Sequence, residues 1–140
     1  MRVVLDCSAT IAWVQHDETT DAIRAVFVKV AEAGAVVPSL WRLEVANVLT
    51  LAVRKRRMSK MLRDKALLDL TNLDIRTDAE TDALAWSDTL ALADRFRLTL
   101  YDAAYVELAR RQNLPLATLD REMRTAATAL GLTVLGNTEA

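Results

Sequence analysis

Short runs of β-branched and aliphatic residues alternate along the chain with longer stretches in which apolar side chains recur every three or four positions. Val3-Val4-Leu5 and Ala35-Val36-Val37, the latter bounded by Gly34 and Pro38, show no polar alternation, the pattern of short strands buried on both faces. Leu116-Ala117-Thr118-Leu119 and Thr133-Val134-Leu135 are two more, each introduced by a breaker, Pro115 and Gly131. Leu73-Asp74-Ile75-Arg76 completes a set of about five strands, close to the usual sheet. Helical periodicity fills the intervals 20–33, 41–55, 59–70, 81–97, 100–111 and 120–130. Crossovers of that length join parallel strands. The expected fold class is therefore α/β, a three-layer α/β/α domain over 1–140 with a central, mainly parallel sheet.

Composition sets limits on this picture. With 140 residues and 52% hydrophobic content, the chain is expected to build its own core without disulfide or zinc staples. The 18 basic side chains nearly balance the 19 acidic ones, so any contact with a polyanion must come from a local basic patch. The lone Cys7 forms neither an internal disulfide nor a cysteine zinc site, which fits a reducing compartment and makes the cytoplasm the expected location. Met1-Arg2-Val3-Val4-Leu5-Asp6 is interrupted by charge too soon for an export signal, and no run of uncharged apolar residues is long enough to predict a membrane span. No repeat, low-complexity tract or linker breaks the chain.

In a parallel sheet, ligands gather where the strands end. Asp6 follows the first strand and Asp120 the fourth, and each also stands where it can cap the next helix. Asp102 lies three residues after Thr99, the spacing of a capping box. Glu44 is different: Leu40, Trp41 and Val48 are one turn away and Leu51 two, so it interrupts an apolar stripe. An ionised carboxylate facing a core is costly unless it is paired or binds a metal, and Asn47 can supply a hydrogen bond but no charge. Asp102 shares the feature, with Leu98, Tyr105, Val106 and Ala109 on its face. If both helices flank the sheet where Asp6 and Asp120 emerge, four carboxylates converge. Such a cluster repels itself, and its all-oxygen donor set suits Mg²⁺ or Mn²⁺. A cation of that kind lowers the pKa of bound water and stabilises charge on a phosphoryl oxygen, the chemistry of nucleic-acid backbone hydrolysis.

On Val3-Val4-Leu5-Asp6-Cys7-Ser8-Ala9, Leu43-Glu44-Val45-Ala46-Asn47-Val48-Leu49, Leu98-Thr99-Leu100-Tyr101-Asp102-Ala103-Ala104-Tyr105 and Leu116-Ala117-Thr118-Leu119-Asp120, in that order, the chain resembles the PIN-domain family. It is most similar to the small VapC-type ribonuclease toxins of bacterial toxin–antitoxin pairs. The resemblance implies a PIN-like domain in which Asp6, Glu44, Asp102 and Asp120 form an acidic quartet that holds one or two Mg²⁺ or Mn²⁺ ions and cuts RNA. It implies that Ser8 and Thr118 hydrogen-bond these acids. It also implies a homodimer and a tight complex with a small VapB-type antitoxin whose C-terminal segment covers the acids.

Arg54-Lys55-Arg56-Arg57, followed by Lys60 and Arg63, is the strongest positive concentration and the candidate for RNA backbone contact; a merely solvated surface is the plain alternative. Cys7 reads as a small buried hydrophobe, and His16, in the polar stretch Gln15-His16-Asp17-Glu18, makes neither a triad nor a metal site. Trp13, Trp41 and Trp86 fit apolar helical faces and are expected in the core. A receiver domain would need paired acids after the first strand, where Cys7 follows Asp6, and a haloacid-dehalogenase-like phosphatase would need an aspartate in place of Ser8. The competing reading from another class is a catalytically inactive PIN-like scaffold that binds RNA or protein, whose signature would be loss of an acid.

Overall fold

The strand β1 (Val3–Leu5) is buried along its whole length because helices cover both faces of the sheet it centres. A computed structural model describes residues 1–137. On one side β1 pairs in parallel with β2 (Ala35–Val37), Val3 opposite Ala35, and β2 pairs with β3 (Ile75–Thr77). On the other side it pairs with β4 (Leu116–Ala117), Val4 opposite Leu116, and β4 pairs with β5 (Val134–Leu135). The order β3-β2-β1-β4-β5 reverses direction between β1 and β4, and the crevice beyond the carboxyl ends of such a pair is where open α/β sheets bind ligands. Asp6 and the turn at 118–120 stand there.

The helices are α1 (Cys7–Val14), α2 (Asp21–Ala33), α3 (Trp41–Arg54), α4 (Lys60–Thr71), α5 (Thr81–Leu84), α6 (Asp88–Phe96), α7 (Leu100–Gln112) and α8 (Arg121–Ala129), with a single 3-10 turn, His16–Glu18, after α1. Thr20, Ser59 and Thr99 cap α2, α4 and α7 by accepting a backbone N–H. Gly34 ends α2 at φ 85° and passes the chain directly into β2; a Cβ there would lie 2.9 Å from the Asp74 carbonyl oxygen, so the turn requires glycine. Ile23, Val30, Leu49, Leu108 and Leu116 pack around β1 to make the core.

Three expectations need correction. The third strand begins two residues later than its hydrophobic run, because the Leu73 N–H still bonds back to Leu70 at the end of α4 while pairing starts at Ile75. The helical interval 81–97 is two helices: α5 ends at Leu84, a turn follows over 85–87, and Ser87, at φ −120° and ψ −97°, starts α6 with Asp88 in its first turn. Trp86, on the turn thus formed, is 89% exposed and takes no part in the core. The other two tryptophans do pack inward, Trp41 fully buried and Trp13 stacked on Phe27 with ring centroids 4.3 Å apart.

Candidate metal centre

Asp6 is the best-held acid. As the cap of α1 it accepts the Ala9 N–H at 2.9 Å, it accepts the Ser8 hydroxyl at 2.8 and 2.9 Å, and it accepts the Thr118 hydroxyl at 2.5 Å. Each hydroxyl is also an acceptor, Ser8 from the Leu119 N–H at 2.9 Å and Thr118 from the Asp120 N–H at 3.0 Å. Two side chains therefore lash the end of β1 to the turn after β4 and fix Asp6 relative to Asp120. Asp120 in turn caps α8 through the Met123 N–H at 2.9 Å. The guanidinium of Arg124, one turn into α8, donates to the carbonyls of Thr118 at 2.7 Å and Leu135 at 3.2 Å, holding the ends of β4 and β5 under that helix.

Glu44 is held from a second direction. The start of α3 is pinned to the start of α1 by a buried chain of bonds: Trp41 Nε1 donates to Thr10 Oγ1 at 3.2 Å, and Thr10 donates to the Asp6 carbonyl at 2.7 Å. One turn after Trp41, the Glu44 carboxylate accepts the hydroxyl of Tyr105, a residue of α7 only 1% exposed. Asn47 is exposed and makes no hydrogen bond to Glu44 among the described residues; the buried phenol takes that role. The stripe Glu44, Val48, Leu51 faces outward rather than into the core, which is built from Trp41, Val45, Leu49 and Ala52 on the neighbouring face. Glu44 thus belongs to the wall of a cavity.

That cavity, about 510 Å³, is lined by all four acids, Asp6, Glu44, Asp102 and Asp120, together with Glu18 from the 3-10 turn. Among the described residues its lining holds five carboxylates and no Lys, Arg or His. Crowding and burial push the acids the same way. Burial raises Asp6 to about 6 against the three hydrogen bonds that oppose it, and the charge of Asp120 adds to the rise. Glu44 is raised by burial and by Asp102, with Tyr105 pulling the other way; Asp102 is raised by burial, by Asp120 and by Glu122. Cys7, expected as a buried hydrophobe, is half-buried and lines the cavity beside Asp6; its thiol is pushed up to about 12 by burial and by the charges of Glu44 and Asp6, which disfavours the nucleophilic thiolate.

Among the described residues no three His, Cys, Asp or Glu side chains stand close enough together to hold a metal ion between them as they are. The acids are instead spread around one wall, all hard oxygen donors with an uncompensated negative charge. This fits a divalent cation such as Mg²⁺ that keeps several waters and takes only a few carboxylates, and it does not fit a preformed all-protein cage. Glu18 was not legible from the sequence, since only the tertiary course of the 3-10 turn brings it here. Tyr105 carried a signal: a buried tyrosine hydroxyl requires a partner, and three residues from Asp102 that partner is an acid of the same cavity.

The PIN domain family model matches residues 3–129. The chain belongs to the PIN domain family. Among its relatives, Ribonuclease VapC3 of Pyrobaculum aerophilum is 32% identical over 131 residues, which cover 93% of this chain and 98% of that one. Of solved structures, PAE2754 from P. aerophilum is similar with a TM-score of 0.70 at 25% identity, over 96% of this chain and 90% of that one. VapBC2 from Rickettsia felis, bound to a DNA fragment from their promoter, gives a TM-score of 0.65 at 14% identity over 96% of this chain and 97% of that one. FitAcB from Neisseria gonorrhoeae gives 0.61 at 13% over 96% of each.

The basic run lies elsewhere. Lys55 closes α3, Arg56 adopts a left-handed conformation at φ 59°, and all four side chains, Arg54 to Arg57, are exposed. A groove of about 1270 Å³ runs beside them, with Trp13, Leu51, Met58 and Leu62 on its apolar floor and Lys55 and Arg57 in its lining. Glu18 and Val48 line both this groove and the acidic cavity, so the two adjoin at those residues. Arg54 and Arg56 do not line it. No helix of the described residues is long and apolar enough to cross a membrane.

Proposed function

We propose that the chain is a VapC-like toxin, an endoribonuclease that cleaves RNA with Mg²⁺ or Mn²⁺ at the cavity bounded by Asp6, Glu44, Asp102 and Asp120. The observation that carries this reading is the cavity itself, five carboxylates facing one space with no cationic side chain among them. Carboxylates gathered without a counter-charge are stable only with protons or with a cation, and their oxygen donors select a hard divalent one. When bound, such an ion supplies charge neutralisation at a phosphodiester oxygen and a more acidic water. The chain's own part is positional. Ser8, Thr118 and the α1 N-terminus fix Asp6, Tyr105 fixes Glu44, and Asp102 and Asp120 stand on the first turns of α7 and at the cap of α8.

Kinship to Ribonuclease VapC3 supports RNA as substrate, and the likeness to VapBC2 supports a small VapB-type antitoxin as partner; the lone Cys7 fits action in the reducing cytoplasm. In this reading the antitoxin's C-terminal segment covers the acidic cavity, two copies of the toxin form a homodimer, and the RNA backbone tracks the groove past Lys55 and Arg57. The test is cleavage of single-stranded RNA by purified protein. Activity should require Mg²⁺ or Mn²⁺, stop on chelation, and vanish in Asp6→Asn and Asp102→Asn with an unchanged circular dichroism spectrum. Undiminished cleavage by either variant would remove the quartet from the mechanism. Mn²⁺ at 100-fold its dissociation constant should also stabilise the wild type by about 2.7 kcal/mol, and the variants by less.

A further inference from the structure

Three of the four acids carry a large, exposed apolar neighbour in the chain. Leu43, before Glu44, is 77% exposed on the outer face of α3; Tyr101, before Asp102, is 66% exposed; Leu119, before Asp120, is 41% exposed and is the one of the three that lines the cavity. Tyr101 stands out among the aromatic residues of the core elements, since Tyr105 and Trp41 are buried and Trp13 is stacked on Phe27. Its position is fixed by the helix: Tyr101 and Tyr105 are four residues apart on α7 and share a face, and Tyr105 reaches Glu44. Tyr101 is therefore one turn further out on the side of α7 that faces the start of α3. Nothing in the fold engages its ring or its hydroxyl among the described residues.

The chemistry of the surroundings selects what such a ring can hold. Beside five carboxylates and no cation, a phosphate backbone is repelled everywhere except at the metal. A nucleobase is uncharged and presents a π face, so it can lie against Tyr101 and Leu119 without electrostatic cost. Unpaired RNA bases are commonly held by stacking on exposed aromatic side chains, at about 1–3 kcal/mol per base. We propose that Tyr101 is a substrate-positioning residue, its ring stacking on a base next to the cleaved phosphodiester while Leu119, in the cavity wall, closes the other side of a base clamp. The clamp rests on the ribonuclease reading above. Because every base has a π face, it recognises an unpaired nucleotide and not a particular sequence. Duplex RNA, whose bases cannot splay, is refused.

The test uses the full chain with Mn²⁺, a single-stranded oligoribonucleotide, and copies of it in which one nucleotide flanking the cleaved bond is an abasic ribose. Tyr101→Ala should lower kcat/KM on the intact oligonucleotide by about 5- to 150-fold, mostly through KM, while Tyr101→Phe stays within about twofold of wild type. An abasic ribose at the stacked position should cost the wild type the same factor and cost Tyr101→Ala nothing more. The Mn²⁺-induced rise in Tm should be the same in wild type and Tyr101→Ala. Wild-type rates in Tyr101→Ala would overturn the clamp alone, as would losses from the variant and the abasic ribose that simply multiply. Normal cleavage by Tyr101→Ala combined with escape from antitoxin inhibition would make this rim a protein contact and overturn the clamp. A wild type that cleaves no RNA overturns the clamp together with the ribonuclease reading.

Discussion

Asp6 shows how a single carboxyl sets the pH behaviour of the metal-free protein. In the folded state its pKa rises from 3.8 to about 6, chiefly through burial, so between those values the folded chain binds a proton that the unfolded chain has lost. Stability must then fall as pH rises through that window, by on the order of 3 kcal/mol for this group alone. Glu44 and Asp102 are shifted in the same direction and deepen the fall. Asp78 behaves oppositely. Burial would raise it, but hydrogen bonds from Arg111, Thr81 and the Glu80 backbone and the Arg111 charge lower it overall, so its contribution is lost only as pH falls below the ordinary aspartate range. Metal-free protein should therefore be most stable near the acid end of the window, and denaturant titrations from pH 4 to 7 should show a decline that Asp6→Asn reduces, the remainder belonging to Glu44 and Asp102. A stability that climbs over that range would show the cavity to be no burden on the fold. Tyr105 offers a second residue-scale test. Its hydroxyl favours the charged form of Glu44, so Tyr105→Phe should raise Glu44 further and move the acidic limb of the pH profile of kcat/KM to higher pH. An unmoved limb would mean that Glu44 does not titrate in the reaction.

At the scale of elements, the cavity depends on α3 keeping its place on α1, and one buried hydroxyl does much of this. Thr10 is fully buried, donates to the Asp6 carbonyl and accepts from Trp41. Thr10→Val keeps the volume but leaves the indole N–H unpaired, and should cost about 1–3 kcal/mol of unfolding free energy. Combining it with Trp41→Phe removes both partners, so the double variant should be more stable than the sum of the singles predicts; additive losses would mean that the bond contributes nothing specific. This tie was invisible in the sequence, where Thr10 is one polar residue in an apolar run and its partner is 31 positions away. What was legible was local. The runs at Val3 and Ala35 became strands because nothing polar interrupts them, while the run at Leu116 pairs only over Leu116–Ala117, since Thr118 turns its hydroxyl to Asp6. The Ser87-Asp88 pair was a helix start lying inside a periodic interval, and periodicity alone reads through such a signal. Glu44 was legible as an anomaly on an apolar stripe, although that stripe borders a cavity and not the core. Glu18 was not, because no local pattern says where a 3-10 turn will fold back.

At the scale of the molecule, near-neutral charge conceals a division of labour, since the acids gather at the sheet's switch point and the basic run lies at the α3–α4 junction. A polyanionic substrate must reach the acids, and the field of the cavity opposes it. The groove that adjoins the cavity at Glu18 and Val48 resolves this if its cations carry the backbone while the metal takes the phosphate to be cut. The geometry then divides the basic run: Lys55 and Arg57 line the groove, while Arg54 and Arg56 do not. Charge reversal should separate the pairs. Lys55→Glu with Arg57→Glu should weaken binding of single-stranded RNA and reduce the slope of log K against log salt by about 1.4, since each lost phosphate contact removes about 0.7. Arg54→Glu with Arg56→Glu makes the same change in net charge and should leave the slope near the wild-type value. Filter-binding isotherms over a salt series measure both, with Mn²⁺ fixed and Asp102→Asn as background to prevent cleavage. Equal slopes for the two double variants would show that RNA responds to the molecule's overall charge, and the groove would lose its role as the path to the acids.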